Sequence, residues 1–289
     1  MKTLRLVLAL ALALVVPAAD AIDFGSLIGK AIDTGRQLQD ANRDFTQDEE
    51  IALGDGLAAG FLGAAPLRKD PNLQRYVNRV GKWLAMHSER PDLPWTFGVV
   101  DTETVNAFAM PGGTVLITYG LVKRLGSESE LAGALAHEIA HVCYKHQLKA
   151  IQSDKNSQAF AELGKGLASE AIARRGSDPV GLKNWGANAG VELLKNGVFL
   201  RPLDRSMEYE ADKLGVVIAA RSGYDPYGLV AVLEMLAQTK SDGSGLSVLD
   251  THPAPADRIA ELEPFMPQVE SAASQPREVE ARFRKVVGP

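Results

Sequence analysis

Apolar positions along the chain recur mostly at helical spacing and alternate only in one short central stretch. Ile22 to Phe45 carries Leu27, Ile32 and Leu38 at spacings compatible with an N-terminal helix. Thr46-Gln47-Asp48-Glu49 has the form of a capping box and opens a helix through Ile51, Leu53 and Leu57. Asp70-Pro71 caps the next helix, on which Leu73, Tyr76, Val77, Val80, Trp83 and Leu84 form a continuous apolar stripe, read as plain core. Trp95 to Val100 alternates as a strand does. Val105 to Met110 and Thr114 to Tyr119 flank Pro111-Gly112-Gly113 as the arms of a hairpin. If one of these strands is a free edge, an extended polypeptide can add to it through backbone hydrogen bonds.

Ser127-Glu128-Ser129-Glu130 is a second capping box, followed by Leu131, Ala134, Leu135, Ile139 and Val142 at helical spacing, with no Pro or Gly between Ala134 and Lys149. Lys149 to Lys195 reads as mostly helical with a break at Arg175-Gly176-Ser177-Asp178-Pro179, and is placed to overhang a cleft as a lid. Pro226 starts a helix carrying Leu229, Val232, Leu233 and Leu236. Ser241 to Gly245 is a flexible loop, Ala256 to Leu262 a short helix, and from Pro267 the chain turns into a polar, loosely held tail. These elements predict an α+β fold, mainly helical, with a small β-sheet beside the helix that starts at Ser127.

That helix carries the most informative residues, His137-Glu138-Ile139-Ala140-His141, an H-E-x-x-H. On a helix, residues four apart lie about 40° apart in azimuth and about 6 Å apart along the axis, so two imidazoles can grip one metal ion from the same side. Glu138 lies about 100° round from His137 and can reach a water on that ion. The segment therefore suggests two zinc ligands and a general base. The plain alternative is a core helix that happens to carry histidines, but three of the five in the chain, His137, His141 and His146, crowd together here.

A catalytic zinc usually takes three protein ligands and leaves one position open. Glu208 and Asp212 are four apart and share a face with Ala211 and Gly215, which are small enough for close helix approach. Glu210 points about 160° away from Glu208. Glu208 is the candidate third ligand, and Asp212 is placed to accept a hydrogen bond from a ligating histidine. The alternative is a solvated acidic helix start. His252 lies in a loop stiffened by Pro253 and Pro255. Held there, it can enter the metal's open position, stabilise an oxyanion, or face solvent at a helix entry.

Taken in order, Asn106 to Gly113, His137–His141, Glu208–Asp212 and the His252-Pro253 loop resemble the motifs of the zinc metalloendopeptidase family that includes HtpX, the CAAX prenyl proteases and the soluble periplasmic BepA and LoiP proteins. The resemblance spans roughly Gln47 to Leu262. It implies a zincin-like metalloprotease domain, with zinc on His137, His141 and Glu208, Glu138 as base and Asp212 behind the ligands. The chain departs from the pattern in two respects. Several relatives cross membranes with multiple helices, and no such segment follows the N-terminus here. BepA-type proteins carry a long helical-repeat extension, for which this chain ends too early.

Met1 to Ala21 reads as a signal peptide. Lys2 and Arg5 precede the apolar run Leu6 to Val16, Pro17 breaks it, and Ala19-Asp20-Ala21 is an A-x-A cleavage site. The run is too short to span a bilayer comfortably, and no cysteine stands near it for lipid attachment. The single cysteine, Cys143, excludes an intramolecular disulfide and faces away from the H-E-x-x-H pair as a structural thiol. A net charge of −5 argues against nucleic acid as a main partner. A hydrophobic content of 46% is ample for one globular core.

The expectation is a signal peptide over 1–21, a zinc metallopeptidase domain over 22–268 and a polar C-terminal tail over 269–289, in a periplasmic or secreted protein with no integral membrane span after signal removal. Its expected function is Zn2+-dependent endopeptidase of the cell envelope, cutting unfolded or misassembled proteins. No acidic motif offers an anchor for a free N-terminus, which favours internal cleavage. Two alternatives stay open: a non-catalytic chaperone or assembly factor that binds extended chains, and a latent protease gated by His252.

Overall fold

The computed structural model describes residues 47–152, 202–239, 247–252, 255–272 and 279–288. The expected signal peptide, the helix over 22–45, most of the lid segment and the loop at 241–245 lie outside the described residues. Helix α1 (Gln47–Ala64) is followed by α2 (Pro71–Ala85), where Asp70 accepts hydrogen bonds from the Asn72 and Leu73 amides and Pro71 takes the first turn. The apolar stripe of α2 is core as expected: Leu73, Val77, Val80 and Leu84 are buried.

The hairpin forms as β2 (Ala107–Met110) antiparallel to β3 (Thr114–Thr118), and β1 (Thr96–Val100) pairs with β3 in parallel, giving the order β1-β3-β2. Gly112 in the connecting turn has φ 78°, and a Cβ there would lie 2.6 Å from the Ile51 Cα. Its N–H donates to the buried Glu50 carboxylate at 3.1 Å, so α1 grips the hairpin tip. The outer edge of β1 is not open. Gln74 of α2 exchanges hydrogen bonds with Val99 N–H and C=O, and Asn78 accepts the Phe97 N–H. β2 is buried along its whole length. Among the described residues, then, the β1 edge is not open to strand addition.

After α3 (Tyr119–Val122), α4 (Glu128–Cys143) runs through the middle of the molecule. Ser127 Oγ accepts the Glu130 N–H at 3.0 Å while the Glu130 side chain takes the Gly126 N–H at 2.7 Å, which is the predicted capping box with its return bond one residue earlier. Leu131, Leu135, Ile139 and Val142 are buried in the main core. The uninterrupted pattern to Lys149 does not give one helix. The Val142 carbonyl accepts from the Lys145 N–H and from an Arg90 guanidinium N–H at 3.1 Å, and Lys145 adopts a left-handed φ of 57°. The helix thus stops at Cys143, and α5 (His146–Gln152) restarts in a new direction. A distant arginine meets the last turn, which no local signal announces.

Helix α6 (Arg205–Arg221) packs along α4, and α7 (Tyr227–Ala237) packs on α4 as well. Close approach depends on Gly215, where a Cβ would lie 3.1 Å from the His137 amide nitrogen. Helix α8 (Val248–Thr251) is pinned to the start of the hairpin by a Val248 N–H to Val105 C=O bond of 2.9 Å, and α9 (Pro255–Leu262) lies across α6 and α7. The polar tail expected from Pro267 is instead two docked helices, α10 (Met266–Ala272) and α11 (Glu280–Val287). Met266, Val269 and Phe283 of these helices and Val279 just before the second are buried, so a low apolar content concealed a fixed face. Among the described residues no helix is long and apolar enough to cross a membrane.

Candidate metal centre

Helix geometry brings the two histidines of α4 to one face, where their Nε2 atoms are 3.0 Å apart and both rings are buried. Glu208 of α6 meets them, with Oε2 3.5 Å from His137 Nε2 and Oε1 3.5 Å from His141 Nε2. His252, at the end of α8, places Nδ1 2.7 Å from Glu208 Oε2. One ligand atom from each of these four residues lies within 4.8 Å of the others. Among the described residues, Glu208 Oε1 is buried with no hydrogen-bond partner. Such an orphaned carboxylate oxygen is costly unless a cation answers it. Imidazole nitrogens with one carboxylate are a donor set that zinc takes, so the residues present fit such an ion.

Two features surround the four. Asp212 Oδ1 lies 2.9 Å from His137 Nδ1, on the far side of the ring from Glu208. Glu138 is buried beside the cluster, and burial raises its pKa although the cations around it pull the other way. Cys143 is half-buried, with burial raising its thiol pKa, and does not belong to the cluster.

Two participants, Arg258 and His146, were given no role from the sequence. Arg258 of α9 donates from Nε to Asp212 Oδ2 at 2.8 Å and from Nη2 to Asp212 Oδ1 at 2.5 Å, and its Nη1 is 3.4 Å from Glu208 Oε2. His146 Nδ1 is 2.9 Å from His141 Nδ1, and its Nε2 is 3.2 Å from Glu210 Oε2. The only sequence hint for Arg258 was its place one helix turn or two after His252. His146 was noticed as part of a histidine cluster but had no geometry to make it more, because its position depends on the break at Lys145.

The charges favour a cation. Burial opposes ionisation of Glu208, yet His252, His141 and His137 hold its pKa well below the carboxylate range. Burial likewise opposes ionisation of Asp212, and Arg258 and His137 lower its pKa to about 2. Two ionised carboxylates face one guanidinium. Burial and Arg258 disfavour protonation of His137, but Asp212 and Glu208 prevail and raise its pKa to about 9. His141, by contrast, is kept neutral because burial lowers its pKa well below the ordinary value.

A helical pair of imidazoles, a glutamate from a second helix and a small sheet alongside are the arrangement of a zincin-like domain. The chain belongs to peptidase family M48, whose family model matches residues 71–265. It is similar to the beta-barrel assembly-enhancing protease of Escherichia coli (strain K12), 30% identical over 240 residues that cover 83% of this chain and 45% of the relative. The same-named protein of Yersinia pestis is 32% identical over 225 residues, 76% of this chain and 44% of the relative. The mitochondrial metalloendopeptidase OMA1 of Schizosaccharomyces pombe is 29% identical over 196 residues, 68% of this chain and 53% of the relative. The chain thus spans about half the length, or less, of these relatives.

Proposed function

We propose that this chain is a zinc-dependent endopeptidase of the cell envelope, with His137, His141 and Glu208 holding the ion and unfolded or misassembled polypeptides as substrates. The observation that carries the reading is the convergence of these three residues on one point, where Glu208 Oε1 is buried and unpartnered. A bound zinc ion supplies Lewis acidity, polarising a peptide carbonyl and making a water acidic enough to attack near neutral pH. Glu138, a buried carboxylate whose pKa burial raises, would take a proton from the attacking water and return it to the leaving amine. Asp212 keeps the His137 ring in place, and Arg258 keeps Asp212 ionised. The envelope location rests on the leader-like N-terminus, and the substrate class draws on the name of the beta-barrel assembly-enhancing relatives.

The test is metal analysis paired with casein cleavage. Wild type is expected to hold one zinc per chain and to cleave. Glu138→Gln is expected to keep the zinc while cleavage falls roughly 10²–10⁴-fold, the usual loss for a general acid–base group. Full activity in Glu138→Gln, or no stoichiometric metal in wild type, would remove the proposal.

A specific contact favours a second reading, a latent form of the same enzyme. His252 Nδ1 sits 2.7 Å from the Glu208 carboxylate, inside the cluster that would bind the ion. If His252 holds the site closed, His252→Ala raises casein cleavage; if it serves the transition state, the same substitution lowers it.

A further inference from the structure

The two histidines of the centre are supported differently. His137 Nδ1 meets an acid of α6 directly, Asp212 at 2.9 Å. Among the described residues His141 Nδ1 meets no acid. It meets the ring of His146 at 2.9 Å, and His146 in turn meets Glu210, also on α6, at 3.2 Å. Both distal nitrogens are thus answered from one helix, the second through an intermediary. We propose that His146 and Glu210 are positioning residues for His141, forming a relay that fixes its tautomer and ring orientation for metal binding. The inference rests on the zinc reading above.

The hydrogen assignments leave little freedom. His141 Nε2 points into the cluster, 3.0 Å from His137 Nε2 and 3.5 Å from Glu208 Oε1. To ligate through that nitrogen, His141 must carry its proton on Nδ1. That N–H then donates to His146 Nδ1, which must be bare. The His146 proton therefore sits on Nε2 and donates to Glu210. Each nitrogen has one role, and the chain ends on a carboxylate that is 56% exposed. The backbone is shaped for this contact. In an unbroken helix His146 would lie about 140° round from His141. The left-handed Lys145, with Arg90 capping the Val142 carbonyl, turns the chain so that the fully buried His146 faces back onto His141. Glu210, which helical geometry sends away from Glu208, is on the side that this contact requires.

The experiment measures zinc affinity of the full chain by competition with a chromophoric chelator, with visible absorption of the cobalt-substituted protein as a report on coordination. His146→Leu keeps side-chain bulk but offers no acceptor. It is expected to weaken zinc binding about 10–100-fold, the usual loss when a ligand's supporting partner is removed, and to shift the cobalt spectrum. His146→Asn places an amide oxygen near the lost Nδ1 and is expected to recover most of the affinity. A filler of space would not discriminate between these two. Glu210→Ala, at a surface-exposed carboxylate, is expected to show a smaller loss in the same direction. Long-range nitrogen–proton NMR of the zinc-loaded wild type is expected to find protons on His141 Nδ1 and His146 Nε2. Wild-type affinity in His146→Leu, equal losses in the leucine and asparagine variants, or a proton on His146 Nδ1 would each overturn the relay. If the leucine variant does not fold, unchanged affinity in Glu210→Ala does so. A wild type that takes up no zinc refutes the metal centre itself, a result distinct from the others.

Discussion

Helix α4 carries a buried polar cluster at each end, and the two differ in one respect. At its start, Glu128 is completely enclosed and every oxygen is answered. Oε2 accepts from the Tyr76 hydroxyl at 2.6 Å and from Arg282 Nε at 2.5 Å, and Oε1 accepts from the Tyr224 hydroxyl at 2.9 Å and from Arg282 Nη2. Towards its end, Glu208 of α6 is equally enclosed, but one oxygen has no partner and the nearest nitrogens face each other. The first cluster is closed chemistry and holds the C-terminal helix α11 on the body of the protein. The second is open chemistry. A buried carboxylate alone therefore does not mark a site; the unanswered lone pair does.

Three experiments test that contrast. The largest effect is expected at the closed cluster. Glu128→Ala removes the shared acceptor of the Tyr76 and Tyr224 hydroxyls and of the Arg282 guanidinium, which is half-exposed and can turn to water, and should cost about 3 kcal/mol of stability in denaturant titrations. Zinc bound per folded chain should stay at the wild-type value. A loss of metal without a loss of stability would erase the distinction.

The next effect is reversed in kind. Zinc at about a hundredfold excess over its dissociation constant should stabilise wild type by about 2.7 kcal/mol. Glu208→Gln should abolish that increment, whereas a Glu128 variant that still folds should keep it. Thermal unfolding with and without zinc, and with a chelator, reads both.

The smallest effect concerns acid. Asp212 has its pKa lowered from 3.8 to about 2 in the folded protein. A depressed carboxylate pKa contributes stability that is fully present above the unfolded value and is lost as pH falls through the folded one. The window is therefore about pH 4 down to pH 2, and the amount is roughly 2 kcal/mol. Asp212→Asn should flatten the stability profile in that window, measured without metal. An unchanged slope would mean that Arg258 is not what holds this carboxylate ionised.

Much of this was legible in the sequence because it depends on short spacings. Ser127 and Glu130 announced the start of α4, Leu131 to Val142 its buried face, and the four-residue interval between His137 and His141 their common side. The same interval brought Glu208 and Asp212 together, and the small Gly215 foretold how closely α6 would approach. What stayed hidden depends on distant partners. The halt of α4 at Cys143 comes with a left-handed Lys145 and a bond from Arg90, a residue from the loop after α2, and the facing of His146 follows from that halt. Arg258 reaches Asp212 only because α9 crosses α6. The C-terminal helices looked like loose tail because their anchoring is one arginine and a few apolar residues among many polar ones. An edge-strand route for substrate was suggested by the hairpin, and the side chains of Gln74 and Asn78 close it on the β1 side.

Helix α6 presents Glu208, Glu210 and Asp212 within little more than one turn, and each is directed to a different imidazole neighbour. A small axial slide or roll of that single cylinder would withdraw all three acids together. On the proposed metal reading, ion capture would depend on the seating of one rod against Gly215's narrow gap, and loosening that seam would disarm the whole assembly in one stroke.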